Sequence, residues 1–372
     1  MSLTLTREQG DLREAVAELM GKRSAEAEVR RLMAGDTGYD PAVWRELASM
    51  GLLGIVIPEH LGGSGAGPVE LAVVAEQLGR ALFCGPYLST AVLAANLLLA
   101  SGDDAEQTEA LPRIAEGALI AGVAFAEPGS ARPPQVPQTL AADTGDGWRL
   151  TGAKTYVLDT AAAERFYVYA RTGSGTAILA VERTAPGLEI SGSNTVDQTR
   201  KQGNLTLADT PARLVGAADG GAAALAHALD IAAVALIAEQ SGGATHAMRM
   251  AADYARTRFQ FGRAIGSFQA VKHMCADMLL EAESAVSAAR HVAAAFDAQA
   301  TDRHTDLALA QAYCSEAFVF VAATNIQVHG GIGFTWEHPA HLYLRRARTD
   351  AQLFGDPAWH RERYVQLREA GA

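Results

Sequence analysis

Cysteine is scarce and scattered. The chain of 372 residues carries three, Cys84, Cys275 and Cys314, far apart in sequence. That spacing excludes a disulfide framework and a cysteine-based metal site, so the three read as reduced structural thiols. Histidine offers no metal site either, because His338 and His341 flank Pro339 without a third ligand at metal spacing. Positive charge is short: 31 Lys and Arg against 42 Asp and Glu give a net charge of −11, with no basic run. Nucleic acid is therefore not expected as a partner. The apolar run from Ala91 to Ala100 is too short to span a bilayer. The opening MSLTLTREQGDL has no basic start followed by an apolar stretch, so no signal peptide is expected. The expectation is a soluble, acidic, cytoplasmic protein. With 49% hydrophobic residues there is enough apolar material for a sizeable core and two or three domains.

What is present falls into blocks. Thr6-x-x-Gln9 reads as a capping box, with Leu12, Val16, Leu19 and Met20 following at helical spacing. Asp40-Pro41 opens a second helix, with Trp44, Leu47, Ala48 and Leu52 on its apolar face. The glycine-rich stretch His60 to Gly67 precedes another helix, Pro68 to Gly79. Such a loop can cradle phosphate, but no GxGxxG or Lys-Ser/Thr pattern accompanies it, and a flexible connector is the expected reading. From Ile120 to about Leu214 the composition shifts to short strands, among them Gly122–Phe125, Trp148–Thr151, Thr155–Leu158, Phe166–Tyr169 and Ala177–Val181, separated by Thr144–Gly147 and Thr172–Gly175 turns. This predicts a small antiparallel β domain. Alanine-rich helical sequence returns from about Gly221. Helix, sheet and helix in blocks argue for an α+β protein of separate domains: a helical domain over 1–119, a β domain over 120–220 and a helical bundle over 221–372.

Two motifs are more particular. Tyr254 to Gln269, YARTRFQFGRAIGSFQ, places Arg258 three residues before Phe261-Gly262 and closes on Phe268-Gln269. Taken singly, Arg256, Arg258 and Arg263 could be a solvated helix end, with Phe261 and Phe268 in the core. Further on stands Gln327-Val-His-Gly-Gly-Ile-Gly-Phe334, followed by Glu337-His-Pro339 and Arg345-Arg-Ala347. Together, in this order, the motifs resemble those of the flavin-dependent acyl-CoA dehydrogenases. Gly51-Leu-Leu-Gly54, Pro58 and Gly62-Gly63 fit the same family's earlier glycine pattern. The resemblance extends over essentially the whole chain.

The resemblance implies an acyl-CoA dehydrogenase-like fold: an N-terminal helical domain, a middle β domain and a C-terminal four-helix bundle. It implies a tetramer, a dimer of dimers that is homomeric or heteromeric, with FAD between subunits. It further implies an acyl-CoA thioester substrate, a place in fatty-acid or lipid metabolism, and an electron-transfer flavoprotein or similar acceptor. Carried over, Arg258 contacts the pyrophosphate of a neighbour's FAD, which suits a fork of donors. Phe261 packs near that tail, Gln327 bonds close to the adenine end, and Gly330-Gly331 let the backbone approach the diphosphate. His329 replaces an aromatic of the family and reads equally as a donor or a packed histidine.

The flavin side departs from the pattern. Where the family has T-E-P-x-x-G-S-D, the chain has Ala126-Glu-Pro-Gly-Ser130 with no acidic residue after it. Where the family has K-x-W-I-T-N, it has Lys154-Thr-Tyr-Val-Leu-Asp159, so Tyr156 serves as the aromatic and Leu158 replaces a hydroxyl residue. Backbone N–H groups of Ala126 and Leu158 can still bond the ring, and weaker flavin binding is the expectation. Glu127 is assigned a structural role.

The reaction implied, α,β-dehydrogenation, needs a carboxylate base within reach of the α carbon. One usual position, nine residues after Arg345, holds Phe354; the other, on the helix before the arginine motif, falls at about Ala232. Neither is acidic. Three readings stand. The chain is a non-catalytic subunit lending Arg258 and Gln327 to a catalytic partner; or Asp356 or Glu239 serves instead, the latter desolvated on an apolar helix or else paired with an arginine such as Arg249 or one from another helix; or the chain binds CoA esters while keeping only the fold.

Overall fold

The computed structural model describes residues 4–370. Helices come first: α1 (Arg7–Arg23), α2 (Glu26–Ala34), α3 (Pro41–Ser49), α4 (Pro68–Arg80), α5 (Ala95–Ser101) and α6 (Asp104–Ala115). The predicted caps are formed. Thr6 Oγ1 accepts from the Gln9 amide at 3.2 Å while Gln9 Oε1 accepts from the Thr6 amide at 2.9 Å. Asp40 Oδ1 accepts from the Ala42 amide at 2.8 Å, ahead of Pro41 in the first turn. Between α4 and α5, Tyr87–Ala94 winds as a π-helix with every residue buried. This wide turn is rare outside functional regions, and nothing in its composition announces it.

The glycine-rich stretch is a connector, but not a flexible one. Amides of Ser64, Gly65 and Ala66 donate to the carbonyls of Gly54, Ile57 and Ile55 at 2.9 Å each. A Cβ on Gly63 would lie 2.0 Å from the Ile57 carbonyl oxygen. The glycine is there for close backbone approach, and its amides are spent inside the chain.

Seven strands follow: β1 (Ala121–Ala124), β2 (Leu140–Asp143), β3 (Trp148–Leu158), β4 (Arg165–Arg171), β5 (Thr176–Glu182), β6 (Leu188–Gly192) and β7 (Gln202–Val215). Their order is β1-β4-β2-β3-β7-β5, with β6 on β7, and the β4–β5 pairing closes the sheet on itself. The sheet is not wholly antiparallel as expected. β1 and β2 both pair β4 in parallel, side by side along one of its edges. The strands expected at 148–151 and 155–158 are one strand, β3, whose pairing with β7 shifts register twice.

The second helical block is α7 (Gly221–Thr257), α8 (Gln269–Asp297), α9 (Arg303–His329), α10 (Ala340–Asp350) and α11 (Pro357–Ala370). Between α7 and α8, β8 (Phe259–Gln260) and β9 (Arg263–Ala264) make a minimal hairpin. α7 and α9 are long and apolar enough to cross a membrane, yet 72% and 61% of their most apolar stretches are buried within the protein. They are core helices. The described residues form two compact units. One takes the N-terminal segment to Val29, Pro68–Phe83 and the chain from Ala233 onward; the other takes Arg30–Gly67 and Cys84–Ala232. In the first unit α4 meets α7 at backbone distance: a Cβ on Gly79 would lie 2.0 Å from the Glu239 carbonyl oxygen, and one on Gly242 1.9 Å from that of Glu76.

Candidate functional site

The arginine motif ends α7 and turns the chain through the β8–β9 hairpin. Phe261 and Gly262 occupy the turn with φ of 53° and 76°, the pair of positive values that a tight type I′ hairpin needs. Glycine adopts this conformation freely; phenylalanine does not. Phe261 is not a core residue. It is 91% exposed and meets Phe268 edge-on at 6.1 Å. Phe268 in turn carries the Arg263 guanidinium 4.0 Å above its ring.

The second motif lies beside the first. Tyr254, in the last turn of α7, stacks on His329 at the end of α9 with ring centroids 4.2 Å apart, and His338 tilts against the same ring at 4.2 Å. His329 is the packed histidine of the two readings: it is buried, and its Nδ1 meets the Asn325 carbonyl at 2.8 Å. Burial lowers its pKa, which keeps the imidazole neutral. The stack packs the last turn of α7, which leads to Arg258, against the end of α9, which carries Gln327. Arg258 and Gln327 are both exposed. Neither side chain makes a hydrogen bond or ion pair among the described residues. Gly330 has φ 64° and ψ −143°, a conformation essentially reserved for glycine. A Cβ on Gly330 or Gly331 would meet nothing within 4 Å, so the space in front of both is open. With the exposed Phe261 and the two glycines, Arg258 and Gln327 form an arm, and these two polar side chains have no partner among the described residues.

The residues expected to face the flavin lie in the other unit. The Thr155 amide donates to the Ala126 carbonyl at 3.0 Å, tying β3 to the segment after β1. Ala126 is 2% exposed, and its own amide finds no acceptor among the described residues. A buried, unused N–H is an anomaly that a bound acceptor resolves. Tyr156 sits within the register shift between Lys154 and Val157, with φ 56° and 49% exposure. A bulge of this kind re-aims one side chain out of the strand. Leu158 is buried. Ser130 is exposed, and its hydroxyl accepts from the Arg132 amide at 3.1 Å, a local turn contact. Sequence reasoning passed over Thr155, whose buried hydroxyl has no partner among the described residues; a hydroxyl beside the exposed aromatic was the available signal.

Glu127 is structural, as read. Lys154 Nζ lies 2.8 Å from its Oε1, and the amides of Gln138 and Thr139 donate to the two oxygens at 2.8 and 2.9 Å. Burial works against the charged carboxylate, but the Lys154 ammonium and the two amides outweigh it and bring the pKa to about 2. Three donors hold the two oxygens and favour the charged form, so the carboxylate is a poor candidate for proton transfer.

The base positions are empty. Phe354 is buried with φ 62°, a strained backbone for a bulky residue, and Ala232 is fully buried. Of the two replacement candidates, Asp356 caps α11: its Oδ1 accepts from the Trp359 amide at 2.8 Å. Glu239 is the packed, paired residue. Its Oε1 lies 2.5 Å from Arg346 of α10, whose guanidinium also donates to the Phe83 carbonyl at 3.2 Å. Asp230, two residues before Ala232, is a buried carboxylate that the sequence reading did not consider. Among the described residues no group of His, Cys, Asp and Glu could hold a metal ion.

Comparison with known proteins identifies the family. The family model "Acyl-CoA dehydrogenase, N-terminal domain" matches residues 6–118, and "Acyl-CoA dehydrogenase, C-terminal domain" matches residues 219–366. Acyl-CoA dehydrogenase IpdE2 of Mycobacterium tuberculosis is 36% identical over 356 residues, 95% of each chain. A chain of the ChsE4-ChsE5 complex from Mycobacterium tuberculosis is 31% identical with a TM-score of 0.89, covering 98% of both chains. A chain of the Tcur3481-Tcur3483 steroid ACAD is 32% identical, also with a TM-score of 0.89, covering 99% of both. With both ends of the chain matched and the helical, β and helical blocks in the family's order, this protein is a member of the acyl-CoA dehydrogenase family.

Proposed function

We propose that the chain works as one subunit of a heteromeric, FAD-dependent acyl-CoA dehydrogenase, lending its arm to a flavin held by a neighbouring subunit that carries the catalytic carboxylate. One observation carries this reading: Arg258, Phe261, Gln327, Gly330 and Gly331 are exposed, the Arg258 and Gln327 side chains have no partner among the described residues, and both usual base positions are apolar and buried. The arm fits the tail of FAD. A free guanidinium matches phosphate oxygens with a fork of donors, and two glycines with open space before them let backbone reach a diphosphate. Gln327 adds an amide able both to donate and to accept. Similarity to two proteins whose names join two components, ChsE4-ChsE5 and Tcur3481-Tcur3483, supports a heteromer.

Bound FAD would supply the acceptor for the hydride that leaves the β carbon of the acyl thioester. The chain's own contribution is positional: Arg258 neutralises and orients the tail, and Phe261, held out on its hairpin, covers it. Electrons pass on to an electron-transfer flavoprotein or a similar acceptor. A second reading, a self-sufficient enzyme, is favoured by the unused Ala126 amide and the exposed Tyr156 in the chain's own flavin half-site, and by the buried Asp230 near the empty base position.

Arg258→Ala tests the arm. In the assembled oligomer it should lose at least half of the flavin belonging to the neighbour's site, with Arg258→Lys restoring part of it and the oligomer intact by light scattering. Unchanged flavin occupancy in Arg258→Ala would remove the arm's role.

A further inference from the structure

The first unit contains two adjoining clefts that the flavin chemistry does not use. One, of about 430 Å³, lies among α1, α2, the end of α4, α7 and α10, with Met20, Val29, Leu82, Met250 and Leu342 among its walls. The other, of about 420 Å³, is polar and draws Arg13, Arg80, Arg249 and Arg290 together with Glu14, Glu76 and Glu283. The two share Ala17, Gln77 and Arg80 as lining residues, so a mainly apolar cleft, with Glu26 also in its wall, and a charged cleft adjoin along these side chains as a two-part hollow.

Pairing at the charged end is incomplete. Arg290 lies 3.8 Å from Glu76, and Arg13 lies 3.8 Å from Glu14. Gln77 donates to Glu76 at 3.1 Å. The guanidiniums of Arg80 and Arg249 make no hydrogen bond or ion pair among the described residues. They are close enough to oppose each other's charge: burial, then Arg249, lowers the pKa of Arg80. The same two arginines act on His246, where burial is the larger influence, and its pKa falls to about 4. At neutral pH His246 is therefore an uncharged hydrogen-bonding group in the wall. It is held by stacking on Tyr343 at 5.1 Å, and the Tyr343 hydroxyl donates to the Arg80 carbonyl at 2.9 Å. Glu76 offsets part of the repulsion at Arg80, but two guanidiniums without a hydrogen-bonded partner, one half-buried and one exposed, leave donors available to an anion.

We infer that this hollow is a binding site for an amphipathic monocarboxylate, its head between Arg80 and Arg249 and its apolar body among Met20, Val29, Leu82, Met250 and Leu342. The apolar chamber, as large as the charged one, argues against a bare inorganic ion. The three glutamates at the charged end argue for a monoanion over a phosphate dianion. The site is separate from the arm that carries Arg258 and stands whether or not the flavin proposal does.

Calorimetric titration of the full-length protein with octanoate, acetate and octylamine tests it. Octanoate should bind saturably, acetate at least 10-fold more weakly, and octylamine not at all. Arg249→Gln removes an exposed guanidinium with no partner to lose, so it should weaken octanoate at least 10-fold without moving the unfolding midpoint; Arg80→Gln should do the same to octanoate. Gly21→Leu probes the other end. Gly21 lines the apolar chamber and a Cβ there meets nothing within 4 Å, so a leucine is accepted without a clash at its Cβ and adds bulk at the chamber wall. It should weaken octanoate and leave acetate unchanged. Octanoate binding that both arginine variants leave intact would place the ligand elsewhere and overturn the proposal, as would no saturable binding. Equal affinity for acetate and octanoate would overturn its amphipathic part.

Discussion

Glu239→Gln separates two roles that the sequence left open for one residue. The carboxylate is 8% exposed and lies 2.5 Å from Arg346, itself 2% exposed. Removing one partner of a buried pair strands the other charge, and such changes cost about 3–5 kcal/mol. Glutamine keeps the volume and one acceptor, and Arg346 keeps the Phe83 carbonyl, so the lower end, about 3 kcal/mol, applies. At roughly 2–4 °C per kcal/mol for a sizeable domain, the melting midpoint should fall by about 6–12 °C. Urea unfolding and a dehydrogenation assay well below the new midpoint should be run on the same preparations. The expected outcome is a large loss of stability with little loss of turnover per folded complex. Glu239→Leu combined with Arg346→Met should recover much of the stability, because it removes both charges together. Wild-type stability with abolished turnover in Glu239→Gln would show that the carboxylate is the base and that this reasoning fails.

Two further outcomes follow from the same geometry. Asp356→Ala removes the cap of α11 and should cost about 1 kcal/mol in chemical unfolding, with turnover unchanged; a collapse in turnover at preserved stability would return Asp356 to the catalytic candidates. Glu127 has a folded-state pKa below its unfolded value, so its contribution to stability is present above about 4.5 and is lost as pH falls toward about 2. The acid limb of stability against pH should therefore flatten in Glu127→Gln, and an acid limb identical to wild type would contradict the assignment.

The family was legible because its motifs sit at helix ends, where chain geometry is local. The capping box at Thr6, Asp40-Pro41 and the long helices were legible for the same reason: each signal and its partner lie within a turn or two. What was not legible depends on distant segments. β2, with the sequence LAAD and a mostly exposed face, has too few apolar residues to announce a strand, and it exists because β3 and β4 offer edges to it. Tyr156 was recognisable as an aromatic, but the bulge that turns it outward arises from pairing with β7, some 50 residues on. Glu239 could be read as needing an arginine; that the arginine is Arg346 depends on how α7 and α10 pack. Phe261 looked equally like core, and only the hairpin's positive φ explains why it stands in solvent.

The central claim is that this chain lends half of a flavin site and depends on a partner for its base. The most direct test is the flavin absorbance spectrum of the protein purified alone, with the FAD-to-chain ratio, before and after addition of acyl-CoA thioesters. The account predicts little flavin, or flavin that no acyl-CoA reduces. Near-stoichiometric FAD that bleaches when an acyl-CoA is added would contradict it and make the chain an enzyme complete in itself.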